Sequence, residues 1–185
     1  MAEKDNYSGM VDGINGLIDR QIFANEKIYS IELERVFTRS WLLIGHETQI
    51  PNNGDFISSR MGAESVILCR DPNRKIHVFL NTCTHRGMKV CLYDEGNTAT
   101  FTCPFHAWSF ATDGKLVGVP HEKDLYSKSL DKEKWSLIEV AQIHNYKGSI
   151  WATWDKSAPN FIEYLGGAKD HLDLALDSLD GSEGG

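Results

Sequence analysis

Residues 83–108 read CTHRGMKVCLYDEGNTATFTCPFHAW and hold three of the chain's four cysteines and two of its seven histidines. The stretch opens with Cys83-x-His85 and closes with Cys103-x-x-His106, leaving seventeen residues between His85 and Cys103. Each short spacing lets one thiol and one imidazole of a loop converge on a common site. Between the loops, Asp94-Glu95-Gly96-Asn97 is a turn signal and residues 98–102 read as a strand, which returns the second loop beside the first.

Composition narrows the classes of protein that could carry such loops. The chain has 185 residues, 41% hydrophobic and 24% charged, enough for one domain with a real core and some extra. A net charge of −7 with no Lys/Arg cluster argues against a nucleic-acid partner, because phosphate binding needs a basic face. The N-terminal MAEKDNYSGM lacks an apolar signal region, and the longest apolar run, residues 41–44, is too short to span a bilayer. No membrane is therefore expected, and the expected location is cytoplasmic. In a reducing compartment, clustered cysteines read as metal ligands or catalytic thiols before disulfides.

The chain divides into three parts, expected at 1–40, 41–156 and 157–185. In the first, SIELERVFTRS suggests a helix capped by Ser30, with Leu33, Val36 and Phe37 on its apolar face. The middle reads as strands at 41–45, 56–61, 65–70, 75–81, 98–102, 116–119, 137–143 and 149–154, many of them separated by Pro, Asn, Asp and Gly turns. Short strands with no helical period between them indicate a mainly β fold, an antiparallel sandwich or small barrel. From Pro159 the period lengthens again, as at the opening of another domain, and the final GSEGG reads as an interruption. Asp170, Asp173, Asp177 and Asp180 read as a solvated helix face with no function.

Two metals suit two thiolates and two imidazoles. One tetrahedral Zn²⁺ would take all four ligands as a structural clip. A Rieske [2Fe–2S] centre would instead place two cysteines on one iron and two histidines on the other. Common zinc patterns pair like with like at each end. Here each loop mixes one Cys with one His, as two loops clamping a two-iron cluster require.

The wording around the loops is more specific. CTH and CPFH, with HRGMKVCLYDEGN and FTCPFHAWSFATDGKLVGVP, resemble the cluster region of the α subunits of bacterial aromatic-ring-hydroxylating dioxygenases, which are Rieske non-haem iron oxygenases. ANEKIYSIELERVFTRSWLLIGHETQIP resembles the opening segment of those subunits, and WDKSAPNFIEYLG the passage from their Rieske domain into the catalytic domain. The resemblance implies a Rieske-type antiparallel β-sandwich (41–156) with a small cluster-binding subdomain. A helical arm (1–40) precedes it, and the short helical beginning of a truncated α+β catalytic domain (157–185) follows.

It also implies that Cys83 and Cys103 ligate the buried iron and His85 and His106 the outer one, so that an electron can leave through an imidazole edge into a partner's carboxylate. The implied donor is a ferredoxin or reductase. The implied assembly contains other α subunits and β subunits, and the implied product is an arene cis-dihydrodiol. The mononuclear Fe(II) that such chemistry needs, held by two histidines and a carboxylate, would lie beyond residue 185, so this chain alone should relay an electron and oxidise nothing. The alternatives are a freestanding Rieske-type ferredoxin and a zinc-stabilised binding module.

Rieske potentials span roughly −150 to +300 mV and rise with hydrogen bonds to the sulfurs. Respiratory Rieske proteins carry an extra disulfide and hydroxyl donors. Met88, Phe105, Trp108 and Phe110 occupy the corresponding places here, which implies a centre toward the low end. Gly87 after Arg86 is read as permitting a positive φ that turns backbone N–H groups toward sulfur, with a simple tight turn as the alternative. Trp108 is read as shielding the cluster, as part of a subunit contact, or as plain core. The family commonly has Gly where this chain has Ala107, a departure expected to touch only close backbone packing. Cys69 and Cys91 are expected to be packing thiols. His46, His77, His121, His144 and His171 are expected to be surface or hydrogen-bonded residues, His77 on the polar face of a strand. Of Trp151 and Trp154, at least one is expected in the core.

Overall fold

A computed structural model describes residues 7–126 and 130–177. The strands are β1 (Val11–Asp12), β2 (Leu17–Ile18), β3 (Leu42–His46), β4 (Asp55–Met61), β5 (Glu64–Arg70), β6 (Ile76–Leu80), β7 (Glu95–Asn97), β8 (Thr100–Thr102), β9 (Ser109–Ala111), β10 (Leu116–Gly118), β11 (Gln142–Tyr146) and β12 (Ser149–Thr153). All pairings are antiparallel, and the sheets run β1-β2, β6-β5-β4-β7, β11-β12-β3 and β10-β9-β8.

The sheet β6-β5-β4-β7 is the middle layer. Strand side chains alternate between faces, and β5 shows what each face meets. Val66 and Leu68 join Ile44, Ile57, Val78, Ile150 and Ala152 against the β11-β12-β3 sheet. Ile67 and Cys69 join Phe56, Phe79, Phe101, Phe110 and Trp108 on the side of the 83–108 loops. A strand covered on both faces reads as the unbroken apolar run VILC instead of an alternating one. Each fully buried aliphatic or aromatic side chain in these layers contributes roughly 1.5–3 kcal/mol.

His77 is hydrogen-bonded as expected, but that middle position corrects the polar face assigned to it. It does not face water: it is 4% exposed, stacked on Phe79 at 5.3 Å and held between Glu139 (Nδ1···Oε1, 2.6 Å) and Asp71 (Nε2···Oδ2, 3.4 Å). The polar side chain lies on a covered face and so brings its own carboxylates.

Three element boundaries also differ. The helix of the arm starts at Glu26, capped by the Asn25 side chain, which accepts from the N–H groups of Lys27 and Ile28. Ser30 lies inside that helix, and its hydroxyl donates to the Glu26 carbonyl at 2.8 Å. Residues 137–141 form no strand beyond one bridge, Phe79↔Glu139, and the strand there is β11. The turn signal at 94–97 contains the short strand β7, which pairs with β4, and β9 is an unforeseen partner for β8.

At the other edge, helices α1 (Phe161–Leu165) and α2 (Ala168–Asp177) pack on β11 and β12. Trp41, His144, Tyr146 and Trp151 surround Phe161. Trp151 leans on this group and Trp154 on the core between the two larger sheets. Asp173 is no bare solvated carboxylate: it accepts from the Tyr146 hydroxyl, from Lys169 (2.7 Å) and from Lys147 (2.8 Å), and Asp177 also pairs with Lys147. Asp180 and the GSEGG tail lie outside the described residues. Among the described residues no helix is long and apolar enough to cross a membrane.

Candidate metal centre

The two loops have the same backbone fold. In the first, Cys83 N–H donates to the Met88 carbonyl and Gly87 N–H to the Cys83 carbonyl, both at 2.8 Å. In the second, Cys103 N–H donates to the Trp108 carbonyl (2.8 Å) and Ala107 N–H to the Cys103 carbonyl (2.9 Å). The residue four places after each cysteine is left-handed, Gly87 at φ 74° and Ala107 at φ 56°. The position where the family commonly has glycine therefore concerns backbone conformation, not close packing. An alanine here accepts a strained φ of about 1 kcal/mol or more.

The four candidate ligands come together as two pairs. Cys83 and Cys103 are each 2% exposed, and the Cys103 thiol is near enough to act on the titration of Cys83. Burial pushes the Cys83 thiol up, and the neighbouring Cys103 thiol adds to this. The backbone N–H groups of His85 and Arg86 point at the Cys83 sulfur and favour the thiolate. The imidazoles of His85 and His106 lie toward the surface, ring centroids 4.7 Å apart and planes 71° apart. Burial, then His106, then Arg86 lower the pKa of His85 and so favour its neutral form.

Among the described residues, no three His, Cys, Asp or Glu side chains are gathered to share one ion. A tetrahedral zinc needs four donors about 2.0–2.3 Å from a single point. A [2Fe–2S] core needs a thiolate pair at one end and an imidazole pair at the other. The two thiols are buried and the two imidazoles lie nearer the surface, and the chemistry of these donors fits that cluster.

Trp108, 2% exposed, lies flat on His85 with centroids 4.6 Å apart, and Trp135 meets its edge at 5.6 Å. Phe105 covers His106 at 3.9 Å. Three hydroxyls in and beside the loops are engaged elsewhere: Thr84 donates to the Trp135 carbonyl at 2.7 Å, and Thr102 and Ser109 bond each other at 3.0 Å. Cys69 is fully buried, its thiol pushed up by burial, and Cys91 is 5% exposed with its thiol toward the Tyr93 carbonyl. His46 bonds Thr48, His144 stacks on Phe161, and His121 and His171 are exposed. The sequence does not single out Trp135, which reaches the loops only through the fold, or Asn81, whose place just before Cys83 does not show which way its carboxamide bonds.

The profile of the Rieske [2Fe–2S] domain matches residues 40–141. The chain is 44% identical over 175 residues to the biphenyl dioxygenase α subunit of Metapseudomonas furukawaii, spanning 91% of this chain and 38% of that one. It is 48% identical over 168 residues to the biphenyl 2,3-dioxygenase α subunit of Rhodococcus jostii (strain RHA1), covering 91% of this chain and 36% of that one. Its fold superposes on naphthalene 1,2-dioxygenase from a Rhodococcus species bound to indole with a TM-score of 0.82 at 37% identity, over 85% of this chain and 36% of that one. The chain thus spans little more than a third of these relatives, and only their N-terminal part.

Proposed function

The chain belongs to the Rieske [2Fe–2S] domain family, and from that membership we propose that it is the electron-relay portion of the α subunit of an aromatic-ring-hydroxylating dioxygenase. The observation that carries the proposal is the buried Cys83/Cys103 pair set behind the outer His85/His106 pair at the ends of two matching loops. In this reading Cys83 and Cys103 hold the inner iron and His85 and His106 the outer iron. The cluster, when bound, takes up and gives back one electron. The residues around it hold it and shape its surroundings. The N–H groups of His85 and Arg86 favour the Cys83 thiolate, Trp108 keeps water from one face of His85, and the engaged hydroxyls of Thr84, Thr102 and Ser109 support a potential toward the low end.

Residues 41–156 are the cluster domain in this proposal, residues 1–40 an arm and residues 157–185 the beginning of a catalytic domain. Met88 in the first loop and Phe105 against His106, 38% and 58% exposed, suit contact with protein partners. These would be a ferredoxin or reductase that donates the electron, and a neighbouring α subunit whose mononuclear iron receives it in an assembly with β subunits. The substrate is an aromatic hydrocarbon, in keeping with the biphenyl and naphthalene named for the relatives. None of the four cysteines is in a disulfide, which favours a cytoplasmic setting.

Anaerobically prepared protein tests the reading. Iron and acid-labile sulfide in equal amounts, with a Rieske-type electron spin resonance after dithionite, are expected; colourless protein or stoichiometric zinc overturns it. Joining the chain to the C-terminal part of the Rhodococcus jostii α subunit should give a protein that forms cis-dihydrodiols from biphenyl. A chimera whose cluster is loaded and reducible but which forms no product would favour a freestanding carrier.

A further inference from the structure

The second cluster loop stands on a hairpin, since β8 and β9 pair through Thr102↔Ser109 at its base. The first loop has no such ladder: it leaves the end of β6, and residues 88–92 return without forming a strand. Its base is closed by one side chain instead. Asn81 is 2% exposed, and its Oδ1 accepts from the N–H groups of Cys91 (2.8 Å) and Val90 (3.1 Å). Its Nδ2 donates to the Cys91 carbonyl at 2.9 Å and to the Ser65 hydroxyl at 3.3 Å. The carboxamide thus exchanges two bonds with Cys91, the exchange that a directly opposed pair of residues makes in an antiparallel ladder. The backbone N–H of Asn81 is meanwhile committed to the Ser65 carbonyl at 2.9 Å.

We propose that Asn81 is the positioning residue of the first cluster loop, its side chain serving as a surrogate peptide group that fixes where Cys83 and His85 are presented. This rests on the reading that the loop holds the cluster. An amide suits the place because it offers an acceptor and two donors without charge. Every polar atom it meets is in a buried or half-buried setting, where an unmade hydrogen bond is expensive.

The test compares the cluster-loaded chain with Asn81→Ala, Asn81→Asp and Ser65→Ala. Asn81→Ala should lose iron to a chelator about tenfold faster or more, and its Cys91 amide should exchange faster by a similar factor. Amides of the 100–111 hairpin should exchange as before, and the midpoint potential should shift. Asn81→Asp keeps both acceptor bonds and should keep the cluster, with a lowered potential from the new carboxylate. Ser65→Ala loses only the long contact and should match the parent.

A folded Asn81→Ala protein with parental iron release and potential overturns the proposal, as does a Ser65→Ala effect of equal size. Should Asn81→Ala fail to fold, Asn81→Asp decides: parental iron release and potential there overturn it too. A parent that binds no cluster sinks the cluster reading as well, whereas a loaded parent with an indifferent Asn81→Ala sinks this inference alone.

Discussion

The indole of Trp108 lies 8° from parallel to the imidazole of His85, with 4.6 Å between ring centroids. A fully buried aromatic side chain has thus become one wall of the proposed iron site. Trp108→Ala should cost about 3–5 kcal/mol of stability by denaturant unfolding, as expected for removing a buried tryptophan. Trp108→Phe should restore most of that loss while leaving the spectrum of the cluster altered.

Gly87 and Ala107 occupy equivalent left-handed positions in the two loops, which makes a matched pair of substitutions informative. Ala107→Gly relieves a strained φ but frees the unfolded chain, so a net gain of about 0.5–1 kcal/mol is expected in thermal unfolding. Gly87→Ala should lose about 0.5–1 kcal/mol, because a Cβ there meets open space but at φ 74° its strain outweighs the stiffening of the unfolded chain.

His106→Cys replaces an outer neutral donor with a thiolate. Iron should be retained, and the midpoint potential should fall by on the order of 100 mV or more, toward the values of all-cysteine [2Fe–2S] proteins. An unchanged midpoint in a redox titration would remove His106 from the ligand set.

The contact between α2 and β11 should respond to acid. Lys147, then Lys169 and the Tyr146 hydroxyl hold the Asp173 carboxyl below the usual carboxylate range. Its contribution is complete above the unfolded value of about 3.9 and is lost as the pH falls through the lower folded value. Tryptophan fluorescence from Trp41 and Trp151, which share the Phe161 cluster, should report this loss. In Asp173→Asn that acid step should disappear.

Much of the site could be read from the sequence because the two loops are local: each proposed ligand pair is separated by only one or two residues, and turn chemistry acts over the same range. The strands β3 to β6 were legible within a residue or two, since apolar runs broken by Pro, Asn and Gly need no tertiary information. Ser30 misled because several residues near a helix start can cap it, and Asn25 had the extended backbone that a cap requires. His77 misled because alternation shows that a side chain changes face, not whether that face is covered. Asp173 looked solvated because Lys147 and Tyr146 lie more than twenty residues away in sequence.

By itself, then, the sequence determined the ligand types, their spacing, the mainly β architecture and the resemblance to Rieske oxygenases. Tertiary structure alone decided that Trp108 lies flat on His85, that Trp135 meets Trp108 edge-on, and that the Asn81 side chain bonds Val90 and Cys91 at the base of the first loop. Short-range spacing is fixed by covalent geometry. The relation between distant segments is fixed only when both faces of the middle sheet are buried and each hidden polar group has found its partner.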